Sequence, residues 1–386
     1  MNEDFHYYAT YCAARLASYD HETALTIASA DAFTDKCTRT FLQKVGGPMS
    51  AATTQTQMEL MEAETNIAGL QDITRIWSSF HFLPRDLYAE PGRGTKRYKR
   101  KYRLLCGPNG QLVKETVELV KGKSPEAIGM AMHVLSDTWA HANFAGTPSL
   151  VLNDVNYHIY EVLPDGTDRQ IAFRHSLSAP DDPEKGLYTA SIHQGNENSI
   201  MNLGHGRVGH LPDYSYITYR YLPAWGDYDE LIKDNPSDYY HAFGQMVEAL
   251  RYLKGETADF TLETYAEETI SPCAEDLRAI FKKRQTDDTE DWKALAEKLF
   301  GAELPSFKTS AYEEEYTSAD KARKDDTFLG RYFVGALAQK SLVTHHIYAS
   351  GSKLAGISID YEASGFKGNR DFRKLVNKKE EDRDHD

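Results

Sequence analysis

Apolar residues along this chain recur mostly at the three- and four-residue spacing that lines one face of a helix. From Asp4, the run Phe5-His6-Tyr7-Tyr8 and its continuation through Ala13, Ala14, Leu16 and Ala17 predict a short N-terminal helix with His6 on its first turn. A second run, from about His21 to Phe41, carries Ile27, Ala30, Phe33, Thr34 and Cys37. Met130, Val134 and Leu135 mark an inward helical face around residues 133–141. Past Glu230 the sequence Asn235-Pro236-Ser237-Asp238 reads as a helix start, followed by Phe243, Met246, Ala249 and Leu250 on one face of Tyr239–Leu253. Further helices are expected at Asp259–Glu268, Pro272–Lys283, Thr289–Phe300 and Ala319–Tyr348.

Two stretches break this pattern. Tyr102–Leu105 and Leu112–Val120 flank Gly107-Pro108-Asn109-Gly110, and Val151, Ile159, Tyr160, Val162 and Ile171 flank Pro164-Asp165-Gly166. Both read as β-hairpins around a turn signal. The expected fold is therefore all-α, a multi-helix core with two inserted hairpin or loop segments. Residues 1–230 are expected to form one helical domain, with insertions at about 85–123 and 144–202. Residues 231–364 are a C-terminal helical region, separate or part of the same domain, and 365–386 a charged flexible tail.

The chemistry concentrates in His133-Val-Leu-Ser-Asp137-Thr-Trp-Ala-His141. Spacings of four place the two imidazoles and the carboxylate on one helical face. Burying all three without a partner is costly, and a divalent metal is the simplest partner. The alternative is a set of hydrogen-bonded core residues. Elsewhere Asp31 and Asp35 are again four apart, with a solvated face as the alternative for Asp31. His81 sits between two phenylalanines, where a satisfied core histidine would serve as well. His205, His210 and Asp213 fall in a glycine-rich stretch whose backbone can approach a site closely.

The order His6, Asp35, His81, His133-x3-Asp137-x3-His141 and then a Gly-His element resembles the zinc-dependent phospholipases C and the related single-strand-specific zinc nucleases. The resemblance covers about the first two-thirds of the chain and implies a mostly helical domain holding two or three zinc ions that cleave phosphodiesters. Carried over, it implies His6, Asp35, His81, His133, Asp137, His141 and His205 as metal ligands. Two departures stand out. The family's N-terminal tryptophan ligand has no counterpart, Asp4 being the nearest substitute, and the acid expected four residues after His205 is Gly209. His210 and Asp213 are the natural replacements for that acid.

Such a centre lowers the pKa of bound water toward neutrality, and a metal pair can clamp the attacking and leaving oxygens of a phosphate. A bridging Asp137 or Asp35 would hold the metals together, and Asp31 or Asp4 is the candidate acid to accept the water's proton. Ligand type favours zinc, with iron or manganese also compatible. The expected activity is phospholipase C-like hydrolysis. Nucleic-acid cleavage by the same chemistry, or a helical interaction protein with a structural metal site, are the alternatives.

Charge narrows the substrate. With 44 basic against 58 acidic residues the net charge is −14, which disfavours a polyanionic strand. A basic arm at 93–103, interleaved with tyrosines, could contact phosphate groups, although a solvated loop explains it as well. No run is long enough for a transmembrane helix. Four unclustered cysteines and the lack of an apolar leader point to the cytoplasm, with signal-independent export left open.

Overall fold

The N-terminal run folds in two steps: a π-helical turn, Phe5–Ala9, passes into α1, Thr10–Leu16. Asp20 and Thr38 accept hydrogen bonds from the backbone N–H groups of Thr23 and Phe41, and so start α2, His21–Phe33, and α3, Arg39–Val45. The single helix expected over 21–41 is therefore two. Thr34 Oγ1 turns back to the Ala30 carbonyl at 3.1 Å, α2 ends, and Asp35 lies in the turn between the two helices rather than one helical step beyond Asp31. Next come α4, Ile67–Phe80, α5, Gln111–Leu119, and α6, Pro125–Ala140. The computed structural model describes residues 1–56, 58–60, 67–88, 103–147, 152, 158–174, 180–190, 205–223 and 230–351.

The first expected hairpin is not formed. Gly110 opens α5 instead, because Leu112, Val113, Thr116 and Val117 bury the i, i+4 face of a helix rather than alternate positions of a strand. Asn109, at φ +60°, makes the turn that feeds α5, and its side chain accepts hydrogen bonds from Gln245 Nε2 and the Glu263 N–H. The second expected hairpin is present as β1, Tyr160–Val162, and β2, Asp168–Gln170, paired Tyr160 to Gln170. After these come β3, Ala172–Arg174, β4, Leu187–Thr189, the short α7, His205–Val208, β5, Thr218–Tyr221, and β6, Leu231–Asp234.

These strands overturn the all-α expectation. They form a four-stranded antiparallel sheet in the order β2-β1-β5-β6 and a two-stranded parallel sheet of β3 and β4. The protein is largely helical yet mixed α/β. Strand β5 joins the hairpin to β6, and its period of two sends Tyr219 and Tyr221 into a second hydrophobic cluster with Ile159, Ile171, Tyr188 and Leu211. The tyrosine run after Asp213 thus packs a sheet face. That pairing was hidden from the sequence because β1 and β5 lie about sixty residues apart.

The chain continues through α8, Asn235–Lys254, α9, Glu267–Ile270, α10, Ala274–Lys282, α11, Thr289–Phe300, α12, Ser310–Ser318, and α13, Phe328–Ala349. The helix expected over 259–268 shrinks to α9, and that expected from 319 starts at Phe328, where Thr327 caps it. Helices α8 and α13 both lie against α6, so residues beyond 231 share one core with the N-terminal helices. The charged tail at 365–386 and most of the 93–103 arm lie outside the described residues; Arg103 donates to the Ser350 carbonyl at 3.2 Å. Among the described residues no helix is long and apolar enough to cross a membrane.

Helix α6 is the axis of this core. Ser124 caps it, Pro125 occupies its first turn, and every residue from Glu126 to Ala140 is buried. A helix buried on all sides normally carries only apolar groups, so His133 and Asp137 must find partners. Its closest neighbour is α2, where a Cβ at Gly129 would sit 2.1 Å from the Ile27 carbonyl oxygen and 2.7 Å from Ala30 Cβ. That close approach sets His133, one turn further on, against Asp31.

Candidate metal centre

Asp137 is the hub. Its carboxylate is buried, with Oδ2 3.0 Å from His81 Nδ1, 3.2 Å from His133 Nε2 and 3.5 Å from His141 Nδ1. Its Oδ1 is 3.3 Å from His6 Nε2 and 2.7 Å from the amino group of Met1. That amino group also lies 3.3 Å from Asp213 Oδ1, and Asp213 Oδ1 lies 3.3 Å from His141 Nε2.

Asp35 closes one side of the hub. Its Oδ1 stands 3.8 Å from both His81 Nδ1 and His133 Nε2, and those two nitrogens are 3.2 Å apart. Asp35, His81, His133 and Asp137 thus offer four donor atoms separated by 3.0–3.8 Å along the measured pairs. Tetrahedral zinc with bonds of about 2.0–2.2 Å has ligand-to-ligand edges of roughly 3.3–3.6 Å, so the set has the size of a single coordination shell. Asp35 is 35 % exposed where its three companions are at most 3 % exposed, which leaves this shell open on one side.

The outer nitrogens of the imidazoles are already engaged. His81 Nε2 faces the Thr53 carbonyl at 3.1 Å, His133 Nδ1 faces Asp31, and His141 Nδ1 faces the His81 carbonyl at 2.8 Å. With each outer nitrogen donating its N–H, the other nitrogen faces Asp137, Asp35 or Asp213 and can give up its proton to a metal, which is how metal-binding histidines are held. His6 is similar: Nδ1 lies 2.7 Å from Asp31 Oδ1, while Nε2 is buried without a hydrogen-bond partner. An orphaned buried nitrogen is costly unless something else occupies its lone pair.

The electrostatics select for positive charge. Burial pushes the Asp137 carboxyl up, but His141, the Met1 amino group and His133 outweigh it and hold the carboxyl well below the usual range. Burial also opposes a charge on His133, yet Asp137 and Asp35 raise it to about 10. Against the same burial penalty, Asp137, Asp213 and Asp35 raise the Met1 amino group to about 11. Protons and an ammonium are thus drawn to where these carboxylates converge.

The remaining expected residues fall differently. His210 is exposed and its Nδ1 lies 3.1 Å from Asp213 Oδ2, so this pair continues the cluster beyond His141. Asn235 Nδ2 donates to the carbonyls of Leu211 and Tyr214, both at 2.8 Å, and fixes the turn that carries Asp213. Gly209 has φ +58°, and a Cβ there would meet the Thr189 carbonyl oxygen at 2.2 Å, so no acid can occupy that position. His205 opens α7, but its side chain lies outside the described residues.

Neither candidate proton acceptor is free for that role. Asp31 accepts from His6, His133 and Thr10 at 2.7, 3.1 and 2.6 Å. Asp4 accepts from the N–H groups of Phe5 and Asp288 at 2.9 and 2.6 Å, and so clasps the N-terminal turn to the loop before α11. The sequence reading missed the Thr53 carbonyl, Thr10, the Met1 amino group and Gly129. A glycine four residues before His133 on the same helical face was the one available signal.

The residues that form this cluster all fall within 1–349, the span matched by a family of unknown function, DUF6765. The chain belongs to that family. No curated protein and no solved structure matches it. The DUF6765 match runs from the Met1 side of the site to the end of α13, so it takes in both the α6 core and the sheet that carries Asp213.

The clasp at Asp4 carries a consequence for stability. Burial, then the Asp4 carboxylate, push Asp288 up to about 7. A carboxyl that holds its proton more tightly folded than unfolded favours the fold at low pH, and that contribution is lost as pH rises from about 4 to about 7. Asp288→Asn is expected to be more stable than the parent at pH 8, by on the order of 2 kcal/mol, with the difference shrinking toward pH 4. Urea unfolding at the two pH values measures this, and a difference independent of pH would contradict it.

Proposed function

We propose that this cluster is a polynuclear metal centre, best suited to zinc, that hydrolyses phosphodiester bonds. The observation that carries the reading is the converging donor set Asp35, His81, His133 and Asp137 at the spacing of one coordination shell, with the outer histidine nitrogens already engaged. With its other oxygen Asp137 faces His6 Nε2 and the Met1 amino group, which also meets Asp213, so a further ion on that side would displace this ammonium. Nitrogen and carboxylate donors without a thiolate match zinc, with manganese or iron as the nearest alternatives. Metal held there supplies Lewis-acid polarisation of a phosphoryl oxygen and a water made acidic enough to attack near neutral pH.

The protein's own contribution is orientation and charge. Asp137 separates its two oxygens between the two sides of the cluster, and the carbonyls of Thr53 and His81 fix the rings of His81 and His141. The partly exposed Asp35 marks the open edge, where a substrate phosphate would enter. A structural metal site would be closed by protein ligands on all sides, and this edge argues against it. The net charge of −14 favours a substrate with a single phosphodiester, such as a phospholipid headgroup, over a nucleic-acid strand. The four cysteines are buried free thiols, which suits the reducing cytoplasm where we place the protein.

Hydrolysis of bis(p-nitrophenyl) phosphate by the zinc-loaded full chain tests the activity. Turnover abolished by a chelator and restored by zinc is expected. Full metal occupancy with no turnover of this ester, of phosphatidylcholine vesicles or of single-stranded DNA would contradict catalysis and favour a structural metal.

A further inference from the structure

We infer that Asp31 is a positioning residue that presents two imidazoles to the metal centre and binds no metal itself; this rests on the metal reading above. The rings of His6 and His133 are stacked, with centroids 3.9 Å apart and planes inclined by 19°. Stacked in this way, both rings turn their Nδ1 edge to Asp31 and their Nε2 edge to Asp137. The pair is a two-ring bridge between one carboxylate and another.

The two ends of the bridge differ in chemistry. At the Asp137 end lie Asp35 and His81, whose donor atoms stand with His133 Nε2 and Asp137 Oδ2 at the distances of a coordination shell. At the Asp31 end the carboxylate is 0 % exposed and already filled: Oδ1 accepts from both imidazoles, at 2.7 and 3.1 Å, and Oδ2 from Thr10 Oγ1 at 2.6 Å. The backbone carbonyl of Asp31 also lies 3.1 Å from His133 Nδ1. The contacts from Thr10 and His6, at 2.6 and 2.7 Å, have the length of hydrogen bonds to a charged acceptor, and that from His133, at 3.1 Å, is of ordinary length. No open side remains there for water or substrate, so Asp31 serves neither as proton acceptor nor as ligand. It holds His6 and His133 as Nδ1–H donors, aims both Nε2 lone pairs at the centre, and makes them more basic ligands.

The test uses the full chain and Asp31→Asn, with zinc affinity measured by chelator competition and stoichiometry measured at saturating zinc. The variant should take up as much zinc as the wild type, with affinity about 10- to 100-fold weaker. In the zinc-loaded wild type, proton–nitrogen NMR should show slowly exchanging Nδ1–H signals from His6 and His133. In the variant those signals should broaden or vanish.

Loss of one zinc per chain at saturation would make Asp31 a ligand and overturn the proposal. Unchanged affinity with hydrolysis abolished would make it the proton acceptor and also overturn it. A wild-type chain that takes up no zinc removes the metal reading itself, a result distinct from either. If Asp31→Asn does not fold, Thr10→Val removes one bond to the same carboxylate and keeps its charge. It should weaken zinc roughly 2- to 10-fold at unchanged stoichiometry, and wild-type affinity in that variant overturns the proposal.

Discussion

Adding one methyl group at Gly129 is expected to take the site apart without touching any residue in it. The new Cβ would stand 2.1 Å from the Ile27 carbonyl oxygen, 2.7 Å from Ala30 Cβ and 3.0 Å from the Asp31 nitrogen. Two of those obstacles are backbone atoms of α2, so no side-chain rotation relieves the clash, and α6 must move away by about an ångström or more. Replacing glycine by alanine inside a helix gains about 1 kcal/mol of propensity. Forcing apart a packed core costs about 1–3 kcal/mol and occasionally more. With backbone as the obstacle the steric cost wins, and Gly129→Ala should lose about 2 kcal/mol net. The same displacement would stretch the 3.1 Å contact of His133 with Asp31 beyond hydrogen-bond range. Urea unfolding and zinc content read the two effects together. Wild-type stability with full zinc would show that the two helices do not pack as closely as described.

Asp137→Asn should be the most damaging single change to metal binding. Asp137 faces His6, His81, His133, His141 and the Met1 amino group at once, and an amide offers a weaker ligand and no charge. Zinc content should fall to less than about a tenth of wild type, since even an indirect partner of a ligand is worth 10- to 100-fold in affinity. The fold should also weaken by about 3–5 kcal/mol, the usual cost of leaving buried positive groups without their counter-charge. Helix content by circular dichroism should persist at low temperature, because α6 is held by Met130, Val134, Leu135 and Ala140, all fully buried. Asp35→Asn is the contrast: its carboxylate is partly exposed, so zinc should be lost with a smaller loss of stability than in Asp137→Asn. Wild-type zinc in Asp137→Asn would exclude this carboxylate as the hub.

How much of this was legible follows from how local each determinant is. His133 and Asp137 share a face of α6 because of spacing alone, and His141 follows at the same spacing just past its end. The turn Pro164-Asp165-Gly166 and the helices from Asn235 and Thr289 are equally local signals. Residues whose role depends on distant partners were not readable. Asp31 stood out as an acid in an apolar run, yet only its contacts with His6, twenty-five residues before it, and His133, one hundred and two after it, show what it does. Asp4 reads in the sequence as an acid available for chemistry, yet it accepts from the distant Asp288 N–H. Gly107–Gly110 signalled a turn correctly, but the choice between strand and helix after it was made by the core that receives Leu112 and Val117. The strands of the four-stranded sheet are three or four residues long, too short to show a period of two until β5 pairs with β1.

The central claim, that the carboxylates and imidazoles around Asp137 form a metal centre, is tested most directly by elemental mass spectrometry of the full chain, purified from medium holding zinc, manganese and iron together. The account predicts zinc in excess of one ion per chain, retained through gel filtration and removed by a chelator at low pH. Less than about a tenth of an ion of any transition metal per chain, in protein that is folded and has been offered zinc, would contradict it.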